Sequence, residues 1–218
     1  NSGLFTTQPS INATTGTLTY TLNGTSGTAV GSVRLPDDNT INGDAANTTA
    51  MQTFTIIVDP LPDYQITLAA GALTITDLSG NSDSTSLIEN TGEAGSVRFF
   101  APGRTISVNG GLNINSLTAP FVLSSLTSIT INEGAGANTT SILSQIAAST
   151  MNFPSLTING GASNDVVSLN NDIVFNPGAS LDLNLQNDGG GGGEDTVFFS
   201  NSCDVSLSGA GAATIKCS

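Results

Sequence analysis

A chain of 218 residues is long enough to bury a core and to hold one elongated fold or two smaller ones. Four basic residues (Arg34, Arg98, Arg104, Lys216) against 17 acidic ones leave a net charge of -13, so a nucleic-acid backbone or an anionic membrane surface would be repelled. Histidine is absent, which removes the commonest general base and metal ligand, and with 10% charged residues the surface has to be made largely from Thr, Ser, Asn and Gly. No apolar stretch reaches the length of a spanning helix, so neither a nucleic-acid partner nor membrane insertion is expected.

In chain order, Gly16 to Thr21, Thr53 to Val58, Leu73 to Thr76 and Thr105 to Val108 alternate polar with apolar or β-branched residues and predict strands. Thr140 to Met151 places Ile142, Leu143, Ile146 and Ala147 at helix-like spacing and predicts two or three helical turns, a local exception. The proline-rich run Asp59-Pro-Leu-Pro-Asp63 suits a boundary between a unit at 1–62 and another at 63–218.

The first unit carries, in order, Gly3-Leu-Phe-Thr-Thr-Gln-Pro-Ser10, Gly16-Thr-Leu-Thr-Tyr-Thr21, Gly27-Thr-Ala-Val-Gly-Ser-Val-Arg-Leu-Pro-Asp-Asp38 and Gln52-Thr-Phe-Thr-Ile-Ile-Val58. This series resembles the tandem cadherin-like or Ig-like repeats of very large bacterial surface proteins, and it covers about the first quarter of the chain. The resemblance implies a β-sandwich on the outside of a bacterial cell. The matching residues correspond to only the second half of such a sandwich, which would leave strand edges and an apolar face uncovered. Three explanations stand side by side: a fragment of a longer protein, a strand supplied by a neighbouring subunit, or a smaller fold sufficient in itself.

In the second unit Ile106-Ser-Val-Asn, Ile129-Thr-Ile-Asn, Leu156-Thr-Ile-Asn, Leu181-Asp-Leu-Asn and Val205-Ser-Leu-Ser recur at spacings of 23, 27, 25 and 24 residues. Each is accompanied by a further apolar segment such as Phe121 to Leu123, Val166 to Leu169 or Thr196 to Phe199. That period predicts stacked coils. The expected fold is therefore all-β, a partial Ig- or cadherin-like sandwich followed by a parallel β-helix, with two β-sandwich domains as the alternative.

Candidate chemistry is sparse. Gly190 to Phe198 fits the calcium nonapeptide G-G-x-G-x-D-x-U-x, and Gly160 to Ser168 fits it except at Ser163. Glycines let backbone carbonyls face a cation and the aspartate adds a hard oxygen, so Asp165, Asp188, Glu194 and Asp195 are the candidate calcium ligands. The competing reading makes these glycines tight corners between strands, since Asp165 and Asp195 are 30 residues apart and the calcium motif repeats every nine. Asp37, Asp38, Asn39, Asn42 and Asp44 form a second acidic cluster that is either a calcium site or a solvated turn.

Cys203 and Cys217, with 13 residues between them, are either a disulfide stapling the last segment or two buried thiols. Asp165 and Asp182 are the carboxylates that could in principle act as a hydrolytic pair on a solenoid, but the aromatic platforms of carbohydrate enzymes are missing, so no enzyme is expected. Asn-x-Thr sequons at Asn12, Asn23, Asn47 and Asn138 match by composition and receive no function. The sequence thus leads to a secreted structural protein that self-associates into a fibre or array, with binding to glycans or a cell surface as the alternative.

Overall fold

The computed structural model describes residues 2–35, 49–185, 194–200, 203–207, 209 and 211–216. The chain is all-β, and no described helix is long and apolar enough to cross a membrane. Contacts divide it into Asn1–Leu61 and Pro62–Ser218.

The first unit starts with a 3-10 turn (Ser2–Leu4) and continues as β1 (Phe5–Ile11), β2 (Leu18–Leu22), β3 (Gly27–Val33) and β4 (Gln52–Val58). β1 and β2 form an antiparallel hairpin whose turn is set by Asn12. The Asn12 Oδ1 accepts the amides of Thr14 and Thr15 at 2.9 and 3.1 Å, and Gly16 takes the positive φ that closes the loop. β3 and β4 form a second antiparallel pair, from Gly27 opposite Val58 to Val33 opposite Gln52. Gly31 stands opposite Phe54, whose ring fills the space where any Cβ on Gly31 would lie. The core of this unit is Leu4, Phe5, Ala29 and Ile56 with Phe54 and Val58 against them, while every residue of β2 is exposed.

The second unit opens with β5 (Tyr64–Ala69), β6 (Ala72–Asp77), β7 (Ser84–Glu89), β8 (Ser96–Val108), β9 (Ile114–Leu117) and β10 (Phe121–Val122). After a 3-10 turn at Leu123–Ser125 come β11 (Ser128–Asn132), β12 (Thr139–Ser144), β13 (Thr150–Phe153), β14 (Ser155–Asn159) and β15 (Val166–Leu169). β16 (Asp172–Phe175), β17 (Leu181–Asn184), β18 (Thr196–Phe199), β19 (Val205–Ser206) and β20 (Ala213–Lys216) complete it.

From β11 on, pairing is parallel and in register, and the strands stack in three columns. The first column is β6, β11, β14, β17 and β20, the second β7, β12, β15 and β18, and the third β13, β16 and β19. This is the stacking of coils that the repeat period predicts. Because side chains alternate across a strand, register places like over like: Leu73, Ile129, Leu156 and Leu181 form one inward ladder. Ile75, Ile131, Ile158 and Leu183 form the next, and Phe153 lies over Phe175 with ring centroids 6.3 Å apart. Each such side chain stabilises the stack by about 1.5–3 kcal/mol through burial.

The start of the stack is closed by β8. Its first part pairs antiparallel with β7, Phe99 opposite Leu87, and its end runs parallel to β5, Ile106 opposite Tyr64. β5 in turn pairs antiparallel with β6, Ile66 opposite Ile75, so one continuous sheet folds across from the second column to the first. An open strand edge is thereby covered at this end.

Three expectations are corrected. Thr140 to Met151 is not helical: β12 and β13 occupy it with a turn between. Thr139 to Ile142 alternate half-buried with buried, and their amides are held between β7 and β15, so the sheet period prevails over the local apolar spacing. The first and last of the five repeats belong elsewhere: Ile106 lies in the cap strand, and Val205 pairs with Ile173 in the third column. Leu73 and Ala213 hold the first-column positions instead. Phe121, too, pairs with Val97 of the cap strand rather than stacking with Val166 or Thr196.

Candidate functional site

Two places gather polar or apolar groups in a pattern that bears on function: an acidic corner of the solenoid and an open groove in the first unit.

At the corner leading into the second column, Asp83, Asn138, Asp165 and Asp195 each stand one residue ahead of a strand, stacked coil over coil. Their side chains form a ladder. The Asp83 amide donates to Asn138 Oδ1 at 3.0 Å, the Asn138 amide to Asp165 Oδ1 at 2.9 Å, and the Asp165 amide to Asp195 Oδ1 at 3.0 Å. Each rung satisfies an amide that the end of a strand would otherwise leave buried without a partner. Asn138 also donates to the Gly136 carbonyl at 2.8 Å and is buried, so its sequon is closed to glycosylation in the folded chain.

Asp165 is fully buried, and its second oxygen accepts the Gly161 amide at 2.7 Å. Its carboxylate is thus engaged by two backbone amides. The glycines beside it are there because coils approach closely: a Cβ on Gly160 would lie 2.7 Å from Asp165 Oδ2, and one on Gly161 would strike the Gly134 carbonyl. Register brings Asp195 to Asp165, Glu194 is exposed, and Asp188 lies outside the described residues. Among the described residues no three Asp, Glu or Cys groups are placed to hold a metal ion. The cluster from Asp37 to Asp44 lies outside the described residues. Asp182, on β17 in the first column, is separate from the corner that holds Asp165.

Sequence reasoning missed the rest of this corner. Asp77 ends β6, accepts the Ser79 amide and hydroxyl at 2.7 and 2.8 Å, and accepts the Gly134 amide at 3.2 Å. Asp83 accepts the Tyr64 hydroxyl at 2.9 Å and pairs with Arg104. Glu133 occupies the position that Gly160 takes one coil later, and its Oε1 accepts the Thr140 hydroxyl. Its Oε2 is buried with no hydrogen-bond partner. Burial, with Asp165, Asp77 and Asp195 nearby, pushes its carboxyl up to about 8 despite the Thr140 donor. The signal was present in the repeat itself, where Asn132-Glu-Gly134 aligns with Asn159-Gly-Gly161.

A second buried glutamate shows the opposite balance. Burial pushes Glu89 up, but the hydroxyls of Ser144 and Ser149, each at 2.6 Å, and the Gly95 amide at 2.7 Å outweigh it and hold the carboxyl below its ordinary value.

Cys203 is a half-buried free thiol donating to the Asn171 carbonyl at 3.0 Å, and its expected partner Cys217 lies outside the described residues.

In the first unit, an apolar groove of about 210 Å³ is bounded by Phe5, Pro9, Ala29, Val30, Phe54 and Ile56. It shares Pro9, Gly31 and Phe54 with a second hollow of about 400 Å³ that reaches Ile11, Leu18 and Arg34. Among the described residues β1 pairs only with β2 and β3 only with β4, so both small sheets keep strand edges available.

No family model matches this chain, and neither a curated protein nor a solved structure is similar to it.

Proposed function

We propose that this protein is a non-enzymatic, extracellular structural element of a bacterial surface or fibre, in which the solenoid is a rigid spacer and the first unit joins one subunit to another by strand addition. The observation that carries this reading is the open state of the first unit among its described residues: two separate strand pairs flank an apolar groove and expose Leu18, Tyr20, Leu22, Val30 and Ile57. An added strand would pair with a free edge and cover that apolar surface at once. The resemblance of this unit to half of a cadherin-like or Ig-like sandwich supports the same idea.

A structural role also fits the solenoid's carboxylates. Asp77, Asp83, Glu89 and Asp165 spend their oxygens on backbone amides, hydroxyls or Arg104, which holds coils together. Self-association is favoured over glycan binding because the exposed phenylalanines described in the solenoid, Phe198 and Phe199, sit together on one strand rather than in a row along the coils.

Negative-stain electron microscopy of the purified chain over a range of concentrations tests the proposal. Regular filaments are expected. Dispersed single particles at every concentration would overturn the joining role.

A further inference from the structure

We propose that Glu133 carries a proton in the folded solenoid at neutral pH, and that its loss in mild alkali loosens the corner between the first and second strand columns. The inference rests first on hydrogen-bond accounting. Around this corner the other acidic groups have donors: Asp77 has Ser79 and the Gly134 amide, Asp165 has the Asn138 and Gly161 amides, and Asp195 has the Asp165 amide. Asp83 has Tyr64 and Arg104. Among the described acidic groups of this corner, Glu133 alone keeps a buried oxygen, Oε2, with no donor. An ionised carboxylate left so would face a desolvation cost with nothing on that oxygen to offset it, a cost that the neutral carboxylic acid largely avoids.

The charges facing it point the same way. Asp165 ahead of β15, Asp77 at the end of β6 and Asp195 ahead of β18 are acidic, and Tyr64 on β5 is neutral, its hydroxyl titration raised by burial. Arg104 on β8, the described cation on this side, is committed to Asp83. Glu133 Oε1 receives the Thr140 hydroxyl, and Thr140 in turn lies 2.8 Å from the Thr85 hydroxyl. A single donor on one oxygen does not compensate both.

Below pH 4.5 the folded and unfolded chains are both protonated at this site. Between 4.5 and about 8 the unfolded chain releases the proton and the folded chain retains it, so stability falls as pH rises and the loss is complete above about 8. From this group the folding constant should drop on the order of a thousandfold across the window.

Carboxyl carbon NMR of the full chain, with glutamate labelled and Glu133 assigned through its backbone, reads the site directly. A midpoint near 8 is expected, and a midpoint near 4.5 overturns the proposal. Thr140→Val, which removes the one donor, should move the midpoint further up, and a downward move would contradict the assignment. Thermal unfolding of Glu133→Gln against pH adds a second readout: the variant should lose the decline through this window, and a decline equal to that of the unaltered chain overturns the proposal. Where Glu133→Gln does not fold, the midpoint in the unaltered chain decides.

Discussion

The two units answer the same problem, what to do with strand edges and apolar faces, in opposite ways. In the solenoid each strand before the last coil is paired with the next, the start is closed by β8, and the inward ladders of Leu, Ile and Phe are buried from β6 to β17. Among the described residues of the first unit, four strands make two separate pairs around four buried residues, Leu4, Phe5, Ala29 and Ile56. The lesson is that strand propensity is common to both, and what differs is whether successive segments supply each other's hydrogen-bond partners. A repeat of 25 or 27 residues does this automatically, since every coil is the template for the next. A hairpin has only its own partner.

The contrast can be broken or sharpened by substitution. The largest effect is expected in the third column: Phe153→Ala removes a fully buried ring packed on Phe175 and should cost about 3–5 kcal/mol in urea unfolding followed by circular dichroism. Ile56→Ala should cost less, near the low end of about 2–5 kcal/mol, because its surroundings are shallow. Equal losses would mean the first unit packs as tightly as the second. Next, Gly161→Ala drives a methyl group into the Gly134 carbonyl of the preceding coil and should cost about 1–3 kcal/mol. A neutral result would show that coil spacing at this corner relaxes freely.

Asp165→Asn should lose about 1–3 kcal/mol, since an amide group would meet one of the two donating backbone amides with a donor of its own. The loss should be the same with calcium as with a chelator; a loss that vanishes on chelation would instead make Asp165 a calcium ligand. The smallest change in stability belongs to Val30→Asp. This side chain is 65% exposed, so unfolding should move by about 0.5 kcal/mol or less, while filaments should disappear. Filaments that persist in this variant would place the joining surface away from the groove.

Much of the solenoid was legible because register depends on features the sequence displays. Ile129-Thr-Ile-Asn132 and Leu156-Thr-Ile-Asn159 are in register residue for residue, and Asn159 donates to Asn132 at 2.8 Å. What sequence could not display is which column a short apolar segment enters. Ile106 and Val205 carry the same local pattern as Ile129, but a 13-residue cap strand takes the first, and the second pairs with Ile173 in the third column. Thr140 to Met151 misled for a related reason, as its apolar residues satisfy two periods and only the neighbouring strands choose. At the corner, glycines and Asp165 were visible as a motif, yet the same residues serve a cation or a close coil contact equally well on paper. Glu133 drew no attention because one carboxyl in an acidic chain is unremarkable until its burial is known.

The cap strand has a mechanical consequence. At the beginning of the solenoid, β5 is flanked on both sides by β8 and β6, so tension applied at Pro62 loads two sets of hydrogen bonds together. At the other end β20 pairs, among the described strands, only with β17, and tension there would strip one strand and then its coil in turn. Pulled from its two ends in a force spectrometer, the solenoid should yield abruptly from the first and in small successive steps from the second, a ratchet built from which strand was covered and which was left at the edge.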